Sequence, residues 1–210
     1  MFDTYYNNNE VQIIGKVNSE FRFNHEVYGE AFYTVEVLVS RLSNVKDRLP
    51  LLISERLIDI TRDYTGEYIM VSGQFRSYNR HEENKNRLIL SVFVRKIAFT
   101  DKERGEDGFK TNAIMLDGYI CKQPVYRQTP NGREITDFLL AVNREYGKSD
   151  YIPCICWGRN AKYAADFPVG EHLKIKGRIQ SREYQKQLSE TEVEQRIAYE
   201  VSVGSIAREA

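Results

Sequence analysis

Lys174, Lys176, Arg178, Gln180, Arg182, Tyr184 and Lys186 fall on alternate positions of one stretch of chain. In an extended strand, alternate side chains share a face. This stretch therefore presents a nearly unbroken basic row with one tyrosine in it. The opposite face carries Ile175, Gly177, Ile179, Ser181 and Glu183. Such a row can track phosphates while its aromatic ring stacks on a base. Lysines also protect edge strands from pairing with other chains, and the residues alone leave that use open. A second run sets Tyr151, Pro153, Ile155 and Trp157 on one face and Ile152, Cys154 and Cys156 on the other. Both faces are apolar, yet only one can point into a small core. The spare face needs a cover, which nucleobases or a subunit interface can supply.

Other chemistry finds little support. There is no glycine-rich phosphate loop, no nucleophile elbow and no HExxH. The carboxylates are interspersed with basic residues, as on a solvated surface, so no enzyme and no cofactor is expected. His25, His81 and His172 are scattered, and none stands at metal-ligand spacing from a cysteine. No metal site is expected. Cys121, Cys154 and Cys156 are an odd number, which argues against a disulfide framework and for a reducing cytoplasm. Cys154 and Cys156 read as two small buried side chains on one strand face.

Composition sets wider bounds. The chain has 210 residues, of which 41% are hydrophobic, enough for a real core and for one or two domains. Lys+Arg (30) equals Asp+Glu (30), so bulk positive charge is not how this chain would hold a polyanion. Fourteen Tyr stand against one Trp. No apolar run is long enough for a membrane span. Met1–Asn9 has no basic segment followed by an apolar one, so no signal peptide is expected.

The elements that must position these residues occur twice. Val11–Val17 aligns with Ile114–Ile120 at an offset of 103, apolar on apolar and Gly15 on Gly118. The same offset pairs Gly29 with Gly132, Val35 with Phe138, Val37 with Leu140, Arg41 with Arg144 and Pro50 with Pro153. One inserted residue later, Gly66-Glu67 meets Gly170-Glu171, Gly73 meets Gly177 and Ser77 meets Ser181. Val92 and Ile97 meet Val201 and Ile206. Two copies of one domain follow, 11–100 and 112–208, joined by a charged linker over 101–111.

The second copy parses into strands at Ala113–Cys121, Ile135–Asn143, Tyr151–Trp157, His172–Tyr184 and Ile197–Ser205. Asn131-Gly132 marks a hairpin turn. A short helix at Arg159–Phe167 is stopped by Pro168. In the first copy Leu57, Ile58 and Ile60 fill the helix slot and Ser54 stands as its N-cap. Three strands, a helix and two strands is the order of the OB-fold, a five-stranded Greek-key barrel. The expected class is all-β, two tandem OB-folds with one short helix each.

At this point a resemblance becomes specific. Asn112–Gly118, Pro124–Gly132, Tyr151–Gly158 and Gly170–Tyr184 together resemble the OB domain of bacterial single-stranded DNA-binding proteins, over the whole second copy. The resemblance implies four aromatic side chains that stack on bases, and Tyr146, Tyr151, Trp157 and Tyr184 occupy those positions. It implies phosphate contacts from basic residues of the same sheet and loops. Lys174, Lys176, Arg178 and Arg182 are the first candidates, followed by Arg127, Arg144 and Lys148. It implies roles in DNA replication, recombination and repair. It also implies four assembled OB domains, hence a homodimer of this chain. Stacking accepts any base, so RNA stays open beside DNA.

The first copy departs from that pattern. Its counterparts of the four aromatics are Ser43, Arg48, Ser54 and Arg80, with Tyr78 nearby. It is expected to keep the fold, to bind weakly if at all, and to serve mainly in assembly. The family's flexible tail with an acidic tip has no counterpart after Ile206–Ala210, so recruitment of partners by that route is not expected. The acidic loop Ser189–Glu194 would repel phosphates near the last two strands. A second reading therefore stands beside the first: an OB-fold protein–protein module, primosome-like or accessory to recombination, whose apolar outer face meets a protein.

Overall fold

The computed structural model describes residues 8–41, 43, 45–82, 85–101, 111–187 and 193–209. Most of the expected linker and most of the acidic loop lie outside them, as does the segment before residue 8. Twelve strands and one short helix make up the described chain. The first half contains β1 (Asn9–Val17), β2 (Arg22–Val27), β3 (Glu30–Ser40), β4 (Lys46–Ser54), β5 (Tyr68–Glu82) and β6 (Lys85–Thr100). The second half contains β7 (Asn112–Ile120), β8 (Val125–Gln128), β9 (Glu134–Asn143), β10 (Ser149–Trp157), α1 (Arg159–Ala165), β11 (His172–Gln187) and β12 (Val193–Arg208).

All twelve strands belong to one sheet, ordered β2-β3-β4-β6-β5-β1-β7-β11-β12-β10-β9-β8. The order reads identically outward from its centre. β1 and β7 lie antiparallel there, with Val11 beside Ile114 and Gln12 beside Ala113. Pairings of β1 with β3 and of β7 with β9 close each half into a barrel. Each half is thus an OB-fold barrel with an additional hairpin strand, β2 or β8.

The repeat survives at the level of strand register. Leu51 pairs with Val92 in the first half and Cys154 with Val201 in the second. Val71 pairs with Ile97, and Ile175 with Ile206. Each long antiparallel pair slips by one residue at the same place, at Ser72/Gly73 and at Lys176/Gly177. A Cβ at Gly73 would overlap the Phe93 carbonyl oxygen, and one at Gly177 the Ser202 carbonyl oxygen. Glycine is therefore required where each barrel bends. Asn9 and Asn112 are a further matched pair. Asn9 bonds the backbone N–H and C=O of Phe75, and Asn112 those of Ile179.

The alternation read from the sequence places the core correctly. Leu173, Ile175 and Ile179 of β11 point inward, as do Ile152, Cys154 and Cys156 of β10. The first-half helix is a correction: residues 55–62 form turns, not a helix. Ser54 Oγ accepts the Arg56 N–H, as an N-cap would, but no helix follows it. Asp59 accepts both the N–H and the O–H of Thr61. Such local bonds compete with helix, and Ile58, Ile60 and Thr61 are β-branched. Leu57 and Ile58 still pack on the core from this turn. α1 keeps its helix because Ala161 and Ala164 can be fully buried, and Thr136 Oγ1 donates to the Ala161 carbonyl.

Candidate nucleic-acid interface

β10 presents Tyr151 and Trp157 on its outer face, about 20 Å apart at the usual strand rise. They are 42% and 39% exposed, ring surface that no part of the described chain covers. Between them Pro153 is half-buried and Ile155 is buried, so the chain itself covers part of the face that the sequence left unassigned. Tyr146 stands in a short 3-10 turn before β10, with φ of 62° and 95% exposure. Gly147 follows at φ 69°. A tyrosine held in the left-handed region with its ring in solvent is an uncommon and costly arrangement.

Tyr184 lies on the projecting β11–β12 arm, opposite Arg196. The Arg182 guanidinium lies 5.8 Å from the Tyr184 ring centroid. β10 runs parallel to β12 with Cys154 beside Val201. Tyr184 therefore sits toward the Tyr151 end of the face. Three of the four aromatics gather at one end, and Trp157 marks the other.

The cations separate into two groups. Lys148, Lys176 and Arg182 are exposed and make no ion pair among the described residues. Lys174 is exposed but reaches Glu209 at 3.2 Å and Asp117 at 3.7 Å, and those carboxylates hold its pKa above the ordinary value. Arg127 is held by Asp137 at 2.8 Å. Arg144 and Arg178 are turned to the junction between the halves. Arg144 binds the buried Asp150 and the Ser77 carbonyl, and Arg178 reaches Asp47 at 3.4 Å and Gln180 at 3.0 Å. Strand alternation placed Arg178 in the outward row, but the first half occupies the space in front of it.

That junction holds residues the sequence reading missed. Among the described residues Asp47 and Asp150 are the two buried carboxylates, and each reaches across to the other half. Asp150 accepts the Ser77 N–H at 2.6 Å and a 3.0 Å contact from Arg76. Asp47 accepts the Ser181 N–H at 2.7 Å and binds Arg41 of its own half at 2.6 Å. Ser77 Oγ then accepts the Tyr151 N–H, and Ser181 Oγ the Arg48 N–H. The first half thereby fixes the backbone at one proposed stacking residue. The signal was available: Asp47 and Asp150 stand at the same offset as Arg41 and Arg144.

The first-half counterparts present a different surface. Ser43 is an exposed turn residue and Arg80 an exposed cation. Ser54 is buried and bonds Glu30, and Arg48 pairs with Glu36 at 3.1 Å. Tyr78 is exposed beside them. Among the described residues no cluster suits a metal ion. Burial pushes the Cys156 thiol up to about 12 and the Cys154 thiol well above its ordinary value, so neither is a nucleophile. Among the described residues no helix is long and apolar enough to cross a membrane.

Comparison with known proteins fits this geometry. Residues 111–206 match the single-strand binding protein family. Single-stranded DNA-binding protein A of Bacillus subtilis is 37% identical over 83 residues, covering 36% of this chain and 48% of that protein. Single-stranded DNA-binding protein 2 of Listeria innocua is 37% identical over 81 residues, covering 35% and 51%. The chain spans about half the length of these curated relatives. Over nearly the whole chain the fold is that of the single-stranded DNA binding protein from Thermus aquaticus. That structure has a TM-score of 0.69 and 18% identity, with 96% of this chain and 93% of that one covered. The family match thus lies in the second half, and the first half repeats the same strand order.

Proposed function

We propose that this chain binds single-stranded DNA without enzymatic activity, through the outer face of its second half and with little sequence preference. The observation that carries this is the set of four exposed or half-exposed aromatics on one family-matched domain: Tyr146, Tyr151, Trp157 and Tyr184. Each stacked base contributes about 1–3 kcal/mol, so a few rings give useful affinity in a chain of zero net charge. Lys148, Lys176 and Arg182 supply the phosphate contacts, with Lys174 and Arg127 at the margin. Arg144 and Arg178 act by holding the halves together.

The role that follows is protection or organisation of single strands during replication, recombination or repair, in the cytoplasm. Two OB-folds per chain fit a homodimer with four, since closed symmetric assemblies predominate. RNA offers the same stacking surface and is a second substrate to be measured. Anisotropy of fluorescein-labelled oligo-dT across a salt series tests the reading. Binding whose logarithm falls linearly with log salt, by about 0.7 per phosphate neutralised, supports it. Folded protein that leaves the anisotropy unchanged at low salt overturns it, in favour of the protein-docking module.

A further inference from the structure

On the first half the aromatic surface has moved rather than vanished. Ser54 takes the place of Trp157, but its cross-strand neighbour is Phe32, where the second half has Ile135 opposite Trp157. Leu52 of β4 lies beside Phe93 of β6, where Ile155 lies beside Ser202. Phe32 and Phe93 meet at 5.7 Å between centroids. The row continues onto β2, where the His25 ring stacks on Phe32 at 5.0 Å and 9° between planes. At its other end the Arg95 guanidinium lies 4.8 Å from the Phe93 centroid. Arg22 stands opposite Thr34, two positions along β3 from Phe32 and so on the same face. A bulge between Phe23 and His25 is what brings His25 onto that face.

From this we infer a second stacking platform for single-stranded nucleic acid, built from His25, Phe32 and Phe93 and flanked by the cations Arg22 and Arg95. It is distinct from the four aromatic positions of the second half and occupies the corresponding place on the first barrel. The inference rests on the proposed function and extends it to the half that lacks the family's aromatics. A parallel His25–Phe32 pair, a Phe93 ring tilted by 33° beside it and a guanidinium on the end suit bases and phosphates. Arg22 and Arg95 make no ion pair among the described residues. The nearby Glu30 is already engaged by Ser54 and by Arg56 at 3.3 Å. A symmetric contact between two copies through this face would set the same cations on both sides, which disfavours self-association there.

The test compares the wild-type chain with Phe32→Leu/Phe93→Leu, which keeps the apolar bulk and removes the rings. Affinities are measured for oligo-dT of about 10 and about 30 nucleotides, lengths chosen to reach one and both OB folds. The inference predicts that the variant loses about tenfold or more of the preference for the longer oligonucleotide, with affinity for the shorter one kept. An unchanged preference overturns it. An unchanged preference with an altered mass by light scattering also overturns it and assigns the face to contact between copies. Wild-type protein that binds neither length instead overturns the proposed function itself. Should the double variant fail to fold by circular dichroism, Arg22→Glu/Arg95→Glu, at exposed side chains, gives the same readout.

Discussion

The Asp150 carboxylate of the second half accepts the backbone N–H of Ser77 in the first at 2.6 Å, and Asp47 accepts that of Ser181 in the reverse sense at 2.7 Å. Each carboxylate is buried and each is braced by an arginine of its own half, Arg144 or Arg41. Together with the β1–β7 pairing, this exchange ties the two barrels together and should make them unfold as one cooperative unit. Replacing Asp150 by Asn leaves Arg144 and Arg76 facing a neutral amide in a buried place. The expected loss is about 3–5 kcal/mol, as when one partner of a buried pair is removed. Urea denaturation followed by far-ultraviolet circular dichroism checks this. The variant should melt earlier in a single transition; two transitions would show that the halves fold separately.

The same geometry divides the arginines by role. Arg144→Gln should lower stability by breaking the Asp150 contact. Arg182→Gln removes an exposed cation and should leave the melting temperature nearly unchanged. It should instead weaken oligo-dT binding and reduce the salt slope by about 0.7. Thermal melts and salt titrations of both variants decide the matter. A larger affinity loss for Arg144→Gln at equal stability would reverse the assignment.

Much of this architecture was legible as a repeat. The alignment that pairs Gly73 with Gly177 and Val92 with Val201 reappears as a matched bulge and a matched parallel bridge. Strand alternation placed Cys154, Cys156 and Ile175 inward. It failed where the other half decides orientation. Arg178 lies in an outward register position, yet it reaches Asp47 of the neighbouring barrel. It failed too at residues 55–62, where Asp59 and Ser54 bond their own backbone and turns replace a helix. The aromatic row of the first half was hidden because its rings come from β2, β3 and β6, brought together by pairing and not by sequence spacing.

The bulge glycines admit a direct check. Gly177→Ala forces a methyl into the Ser202 carbonyl, and Gly73→Ala does the same at Phe93. Each should lower stability by about 1–3 kcal/mol, the usual cost of overfilling a packed site. Chemical denaturation gives the value. A neutral effect at either position would mean that β6 or β12 shifts freely at its bulge.

The thiols should be inert in the folded chain. With the Cys156 pKa near 12 and Cys154 higher than usual, almost no thiolate exists at pH 8. Cys121 is also raised by partial burial and donates to the Leu139 carbonyl at 3.3 Å. Ellman's reagent at pH 8 should react slowly with the native protein, with Cys121 first, and fully with all three after denaturation. Rapid labelling of Cys154 or Cys156 in the native state would contradict the buried placement of β10.

The central claim is that bases stack on the outer face of the second half, and the single tryptophan stands on that face. Oligo-dT should therefore be titrated into the protein at low salt while Trp157 emission is followed, and salt then added. The account predicts strong saturable quenching that salt reverses, and its loss in Tyr151→Ala/Tyr184→Ala at equal oligonucleotide concentration. Unchanged emission, with labelled oligo-dT tumbling freely in the same solution, would contradict it and leave the aromatic face to a protein.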